Sequence, residues 1–172
     1  MDSAIEIPVQ IRSFEPTDAE ACAILYRAGL VEGQQIAEND TGLDIDDIHS
    51  AYMACEGSHF WVAETQDDNP SIVGMIGVQH HEDSVGEIRR LRVREGFRRR
   101  GIGSRLVETA VRFCKERNYL KIALDTFMER EPAIRLFEKF HFRHSRTRSV
   151  AGKEIMHFYL DLYQRDRPDK QD

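Results

Sequence analysis

Three β-rich runs, "HFWVAET" (59–65), "SIVGMIGVQH" (71–80) and "GEIRRLRV" (86–93), follow one another, punctuated by "QDDNP" and "EDSVG". Each run is rich in β-branched and aromatic residues, and each connection carries turn formers such as Asn, Asp, Pro and Gly. Connections this short join neighbouring antiparallel strands, so the centre of the chain reads as a three-strand meander. Past Gly103 the period changes. Ile102, Leu106, Ala110, Phe113 and Cys114 then fall on one face of a helix.

The flanks extend this pattern. "VQIRSF", Val9 to Phe14, alternates like a strand, and Thr17 stands three residues before Glu20 as a capping box. A helix is expected from about Asp18 to Ala28, with Ala21, Ile24, Leu25 and Ala28 facing the core. "DIDDIHSAYMA" reads as a second, shorter helix. "LKIALDTF" is a compact buried strand, and "EPAIRLFEKF" a helix with Pro132 suited to its first position and Ala133, Leu136, Phe137 and Phe140 on one face. "RHSRTRSV" and "EIMHFYLDL" make a closing hairpin. The order is strand, two helices, three-strand meander, helix, strand, helix, two strands. It predicts an α+β domain with a mixed, mostly antiparallel central sheet and helices on both faces. A single domain is expected over 1–172, with its core at about 7–162 and a polar tail at 163–172.

Composition narrows the function classes. With 41% hydrophobic and 31% charged residues the chain is neither disordered nor membrane-like, and no apolar run approaches the roughly 18 residues of a membrane helix. "MDSAIEIPVQ" has neither the basic start nor the apolar centre of a signal peptide, so a cytoplasmic protein without a membrane partner is expected. The cysteines Cys22, Cys55 and Cys114 are odd in number and widely spaced, which suggests neither a disulfide framework nor a zinc site. His80-His81 and His141-x-x-His144 lack further ligands at a helpful spacing, so no metal is expected. The net charge of -6 argues against a nucleic-acid partner.

Against that acidity, eight arginines lie between Arg89 and Arg105, immediately before and into the helix that follows Gly101 and Gly103. A helix start presents unpaired N–H groups and the positive end of the macrodipole, and glycine lets an anion approach the backbone. "GFRRRGIGSR" therefore has the character of a phosphate-gripping turn. No Gly-Lys-Ser/Thr follows, which excludes the Walker loop. Arg105 stands near where a dinucleotide fingerprint would carry its third glycine, and a meander precedes the turn where a Rossmann unit would have its first parallel strand.

The pattern R-x-x-G-x-G is satisfied by Arg98, Gly101 and Gly103. With "LRV" (91–93) before it and "PAIRLFEKFHF" after it, the chain resembles the GNAT superfamily of N-acetyltransferases over about residues 7–162. The resemblance implies that acetyl-CoA is a co-substrate. It implies that the backbone of Arg99, Arg100, Gly101, Ile102, Gly103 and Ser104, with Arg98, holds the pyrophosphate. The pantothenate arm would lie along the main chain of Leu91, Arg92 and Val93, with a backbone N–H near Val93 polarising the thioester carbonyl. Phe137 stands where many members carry a tyrosine that protonates the departing thiolate. His141 replaces a usual glycine, and Arg130 an asparagine that often touches the cofactor.

Acetyl transfer needs a neutral amine, whereas a lysine-like amine of pKa about 10.4 is protonated at neutral pH, so a base is required. Glu87, six residues before Val93, occupies the position of the catalytic glutamate in the histone-acetylating branch. Plain alternation places Glu87, Arg89, Leu91 and Val93 on one face, a parity that a bulge would change. His80 and His81 compete with it as proton acceptors. The expected activity is transfer of an acetyl group from acetyl-CoA to a primary amine of a small molecule or peptide, by direct attack in a ternary complex. The alternative is a non-catalytic acyl-CoA-binding sensor on the same fold. The acidic run Glu38 to Asp47 would attract a cationic amine or form a solvated loop, and the apolar "EIMHFYLDL" would support a homodimer.

Overall fold

The computed structural model describes residues 6–31, 41–81, 84–128 and 130–163. Its strands are β1 (Val9–Ser13), β2 (His59–Thr65), β3 (Ile72–His81), β4 (Val85–Val93), β5 (Lys121–Phe127), β6 (Arg143–Val150) and β7 (Lys153–Asp161). Its helices are α1 (Ala19–Val31), α2 (Leu43–Asp46), α3 (Ile102–Glu116) and α4 (Glu131–Lys139), with a π-helical turn at His49–Met53. The strands form one sheet in the order β1-β2-β3-β4-β5-β7-β6. β4 and β5 run parallel, and every other neighbouring pair is antiparallel. The expected order of elements and the mixed sheet are both present.

Alternation along β2 explains the two-sided packing. Phe60 and Val62 join a core with Phe14, Cys22, Leu25, Tyr26, Tyr52 and Met75, under α1 and α2. Trp61 and Ala63 turn to the opposite face, where Ile102, Leu106, Val107, Ala110 and Cys114 of α3 meet Ile88, Ile122, Leu124, Phe137 and Phe158. A sheet buried on both faces needs near-continuous apolar strands. β3 supplies one, since Ile72 to Val78 are all buried.

Two expectations change. The chain enters α1 through a 3-10 turn at Pro16–Asp18, and the capping box is formed by Glu15 and Asp18, not by Thr17 and Glu20, with the Asp18 carboxylate accepting the Glu15 N–H at 2.8 Å. Arg12 holds that carboxylate with two hydrogen bonds of 2.8 and 2.9 Å. The buried stripe of α1 is Cys22, Leu25 and Tyr26, while Ile24 is 53% exposed and Ala28 lies on the solvent side. β7 is paired on both edges, to β5 and β6. The tail from 164 onward and residues 38–40 of the acidic run lie outside the described residues.

Candidate functional site

Among the described residues, β4 and β5 pair over Val85–Glu87 and Lys121–Ala123, and the Leu120 N–H donates to the Ser84 carbonyl at 2.9 Å just before them. Beyond Glu87 the register of β4 against β3 slips. Met75 faces Arg92 and Gly77 faces Arg89, so Ile76 alone opposes both Arg90 and Leu91. Arg90 takes the left-handed conformation, φ 61°, which marks a bulge. The bulge reverses the parity expected from plain alternation. Leu91 and Val93 pack on the α3 face, whereas Glu87 and Arg89 lie on the opposite face with Gln79 and His81. The two parallel strands therefore part, and a cleft of about 820 Å³ opens between them.

The start of α3 closes one end of this cleft. Gly101 adopts φ 75°, and a Cβ built there would meet no heavy atom within 4 Å. A side chain is disfavoured by conformation and not by crowding, which leaves open space in front of the N–H groups that begin the helix. A Cβ at Gly103 would press on Leu136 at 3.2 Å, so this glycine lets α4 approach α3. Glu87, Leu91, Arg92, Val93, Arg98, Arg99, Gly101, Ile102, Gly103, Ser104 and Phe137 all line the cleft. Arg100 does not, and its guanidinium lies over the Phe97 ring, 5.2 Å from the centroid.

The arginine cluster resolves into individual tasks. Arg94 donates to the Ile72 carbonyl at 2.9 Å, Arg98 to Val93 at 3.0 Å and Arg105 to Val9 at 2.8 Å. Arg89 donates to Gln79 Oε1 at 2.8 Å. Arg90 is buried, lies over the Tyr26 ring and holds Asp44 through Nε at 2.9 Å and Nη2 at 2.5 Å. Tyr52 adds a hydrogen bond to the same carboxylate at 2.6 Å. Burial would push the Asp44 carboxyl up, but the Arg90 and Tyr52 hydrogen bonds outweigh it and hold the carboxyl below its usual range. Burial first, then that carboxylate, pushes the Tyr52 phenol well up. Asp44 is therefore neither a solvated loop residue nor an open attractor for an amine. Arg99, by contrast, lines the cleft and has no hydrogen-bond or ion-pair partner among the described residues.

Glu87 Oε2 pairs with His81 Nε2, and Oε1 lies 3.7 Å from Arg89 Nε. The two histidines considered as competitors are thus separated: His81 joins Glu87, while His80 Nδ1 is 2.9 Å from the Tyr119 hydroxyl. Across the cleft, Asp125 of β5 holds His157 Nδ1 at 2.6 Å and faces Arg148 at 3.3 Å. Sequence reasoning missed Asp125, Arg148 and Thr126, because strand position alone does not tell which strand will part from its neighbour. Phe137 is 4% exposed and packs edge-on to Phe142, with no hydroxyl at that wall. No group of three or more metal-ligating side chains occurs among the described residues, and no helix there is long and apolar enough to cross a membrane.

The site fits a long phosphorylated acyl carrier on two local observations. Open space fronts the glycine turn beside Arg99, and the Thr126 hydroxyl, buried in the β5 wall, has no partner among the described residues.

Residues 26–142 match the family model described as the acetyltransferase (GNAT) family. Among curated proteins, the chain is 32% identical over 121 residues to "Probable N-acetyltransferase camello" of Xenopus tropicalis, covering 69% of this chain and 53% of that protein. It is 32% identical over 105 residues to N-acetyltransferase 8 of Homo sapiens, covering 58% and 45%. It is 36% identical over 101 residues to N-acetylaspartate synthetase of Danio rerio, covering 58% and 35%. The chain thus spans about half or less of the length of these relatives. In fold it is similar to a GNAT-family acetyltransferase from Staphylococcus aureus Mu50, with a TM-score of 0.78 at 21% identity, over 90% of this chain and 99% of that one. It is similar also to a Salmonella typhimurium acetyltransferase solved with its cofactor acetyl-CoA, with a TM-score of 0.76 at 17% identity, over 95% and 99%.

Proposed function

Because the chain belongs to the acetyltransferase (GNAT) family, we propose that it moves the acetyl group of acetyl-CoA to a primary amine by direct attack in a ternary complex. The observation that carries this reading is the parting of β4 from β5, which joins the glycine turn of α3 to Glu87 through one continuous cleft. Acetyl-CoA supplies the activated acyl group as a thioester. This chain's residues would bind and orient it. The N–H groups of Ile102, Gly103 and Ser104, with Arg99, receive the diphosphate, and Arg98 braces the turn against Val93. The main chain of Leu91, Arg92 and Val93 lies beside the arm, the Val93 N–H faces the developing oxyanion, and Phe137 shields the arm from water.

Leu91 and Val93 on one face and Glu87 on the other suit an acyl carrier and an amine that arrive from opposite sides and meet where the strands part. Glu87 takes the proton of the attacking amine, and His81 and Arg89 fix its carboxylate. The acceptor we propose is an amine that also bears a carboxylate. Arg89 and Arg148 flank the cleft beside Glu87 and Asp125, a mixed pattern that matches a zwitterion better than a plain cation. Relatives named N-acetylaspartate synthetase point the same way.

A screen that follows free coenzyme A should show turnover with amino acids well above that with their decarboxylated amines. Glu87→Gln should lower kcat by about a hundredfold with acetyl-CoA affinity unchanged, given the usual worth of a positioned base. Binding of acetyl-CoA without thiol release from any amine would instead favour the sensor reading, which Phe137 motivates.

A further inference from the structure

Thr126 is 6% exposed, and its hydroxyl has no hydrogen-bond partner among the described residues. Native interiors rarely leave a buried hydroxyl unsatisfied, because its lost bonds to water are not replaced. Valine would fill the same volume without that deficit. The place of Thr126 in the fold indicates what the missing partner is. Ile122, Leu124 and Thr126 alternate onto one face of β5, and Ile122 and Leu124 lie in the core under α3 and α4. Thr126 lines the same cleft as Leu91, Val93 and Phe137. The last β4–β5 pair is Glu87 with Ala123, so three residues further along each strand Thr126 comes level with Arg90 at the bulge. Thr126 therefore stands beside the stretch of cleft where the strands have just parted, on the side proposed for the acyl carrier, with its hydroxyl buried in the cleft wall, so that contact with a bound thioester needs a small shift of that wall.

We propose that Thr126 is a catalytic residue: its hydroxyl donates a hydrogen bond to the thioester sulfur of bound acetyl-CoA and stabilises the thiolate as it departs. The proposal rests on the acetyl-transfer reading. In that reaction the neutral amine nitrogen forms a bond to the carbonyl carbon, and its proton passes to the Glu87 carboxylate. The carbonyl π pair moves to oxygen and returns as the carbon–sulfur bond breaks. The pair of that bond leaves on sulfur, which then takes a proton from water. Thr126 keeps its own proton throughout. Phe137 offers nothing to the sulfur from the α4 wall, so the β5 wall supplies the hydrogen bond in its place.

The test compares Thr126→Val and Thr126→Ser with the wild-type chain. Thr126→Val should lower kcat by about tenfold or more, the loss expected for one hydrogen bond made to a developing charge, while Thr126→Ser stays within about threefold. Acetyl-CoA affinity by calorimetry should change little, because the bond strengthens as charge develops on sulfur. The melting temperature of Thr126→Val should equal or exceed that of the wild type, since an unpaired buried hydroxyl does not support the fold.

A second measurement does not depend on turnover. The thiol of bound coenzyme A, followed by the ultraviolet absorbance of its thiolate, should titrate at lower pH on the wild type than on Thr126→Val. The surrounding titratable and charged groups, His81 on β3, Glu87, Arg89, Arg90 and Arg92 on β4, Arg98 and Arg99 before α3, Asp125 on β5, Arg130 before α4, Arg148 on β6 and His157 on β7, are the same in both proteins. Equal thiol titration, unchanged kcat in Thr126→Val, or a marked fall in its melting temperature would each overturn the assignment. If the wild type binds acetyl-CoA but acetylates nothing, the acetyl-transfer reading fails separately, and the thiol titration still decides the contact made by Thr126.

Discussion

Gly101 is where one carbon atom would decide whether the proposed diphosphate can reach the start of α3. Its φ of 75° lies in the left-handed region, and the space in front of it is empty of protein atoms within 4 Å. Gly101→Val should therefore meet little steric resistance from the protein. The conformation itself carries a strain of about 1–3 kcal/mol, small enough for most folds to tolerate. The valine methyl groups would enter the volume assigned to the diphosphate. Calorimetry should show acetyl-CoA affinity reduced by at least about a hundredfold, the equivalent of roughly 2.7 kcal/mol, with the far-ultraviolet spectrum retained. Unchanged affinity would reject the placement of the phosphates. The helix start at Gly101 was legible in the sequence, because a glycine pair directly before an amphipathic run marks one. Thr126 and Asp44 were not. One reads as part of a plain apolar strand and the other as part of an acidic run, and only the tertiary structure shows the buried, unpartnered hydroxyl of Thr126 and the Asp44–Arg90 pair.

At the scale of elements, the bulge of β4 governs the site, and it was only half legible. Strand and helix positions followed from periodicity, since alternation and the 3.6-residue repeat survive in a single sequence. The parity of Leu91 and Val93 could not follow, because it depends on which residues of β3 stand opposite, and Ile76 facing two partners is a property of the pair. The face of α1 was missed for a related reason. Arg12 and Asp18 fix the entry turn, which rotates the buried stripe to Cys22, Leu25 and Tyr26 and leaves Ile24 exposed. Asp44, Arg90 and Tyr52 tie the bulge to the segment carrying α2, and the tie has a measurable sign with pH. The Asp44 carboxyl sits below its usual range in the folded chain, so the unfolded state binds more protons as the medium acidifies. Its stabilisation is complete above the unfolded carboxyl pKa of about 3.9 and is lost as pH falls through the lower folded value. Asp44→Asn should destabilise the chain by about 3–5 kcal/mol at neutral pH, since it strands a buried guanidinium. Urea unfolding should show this gap narrowing below about pH 4, and a constant gap from pH 7 to pH 3 would refute the pairing as a source of stability.

For the molecule as a whole, the formal charge of -6 and the basic cleft pull in opposite directions on an anionic ligand. Arg89, Arg90, Arg92, Arg98, Arg99, Arg130 and Arg148 line the cleft against Glu87 and Asp125. The other described acidic side chains lie outside it, so a polyanionic acyl carrier bound as proposed would meet mostly positive charge close by and net negative charge farther away. Screening at physiological salt extends over about 8 Å, which removes the distant repulsion sooner than the contacts within the turn. The affinity for acetyl-CoA should therefore respond to salt in two stages. From low to moderate ionic strength it should hold steady or improve, as the acidic exterior is screened. Toward about 1 M, where the screening length falls to about 3 Å, it should weaken as the Arg99 and helix-end contacts are attenuated. In Arg99→Gln the second stage should flatten while the first persists, because only the local positive charge has been removed. Calorimetric titrations of both proteins across this range check the expectation. A steady decline in affinity from the lowest salt upward, equally steep in both, would mean that the turn does not hold the phosphates and that their binding depends on a diffuse field instead.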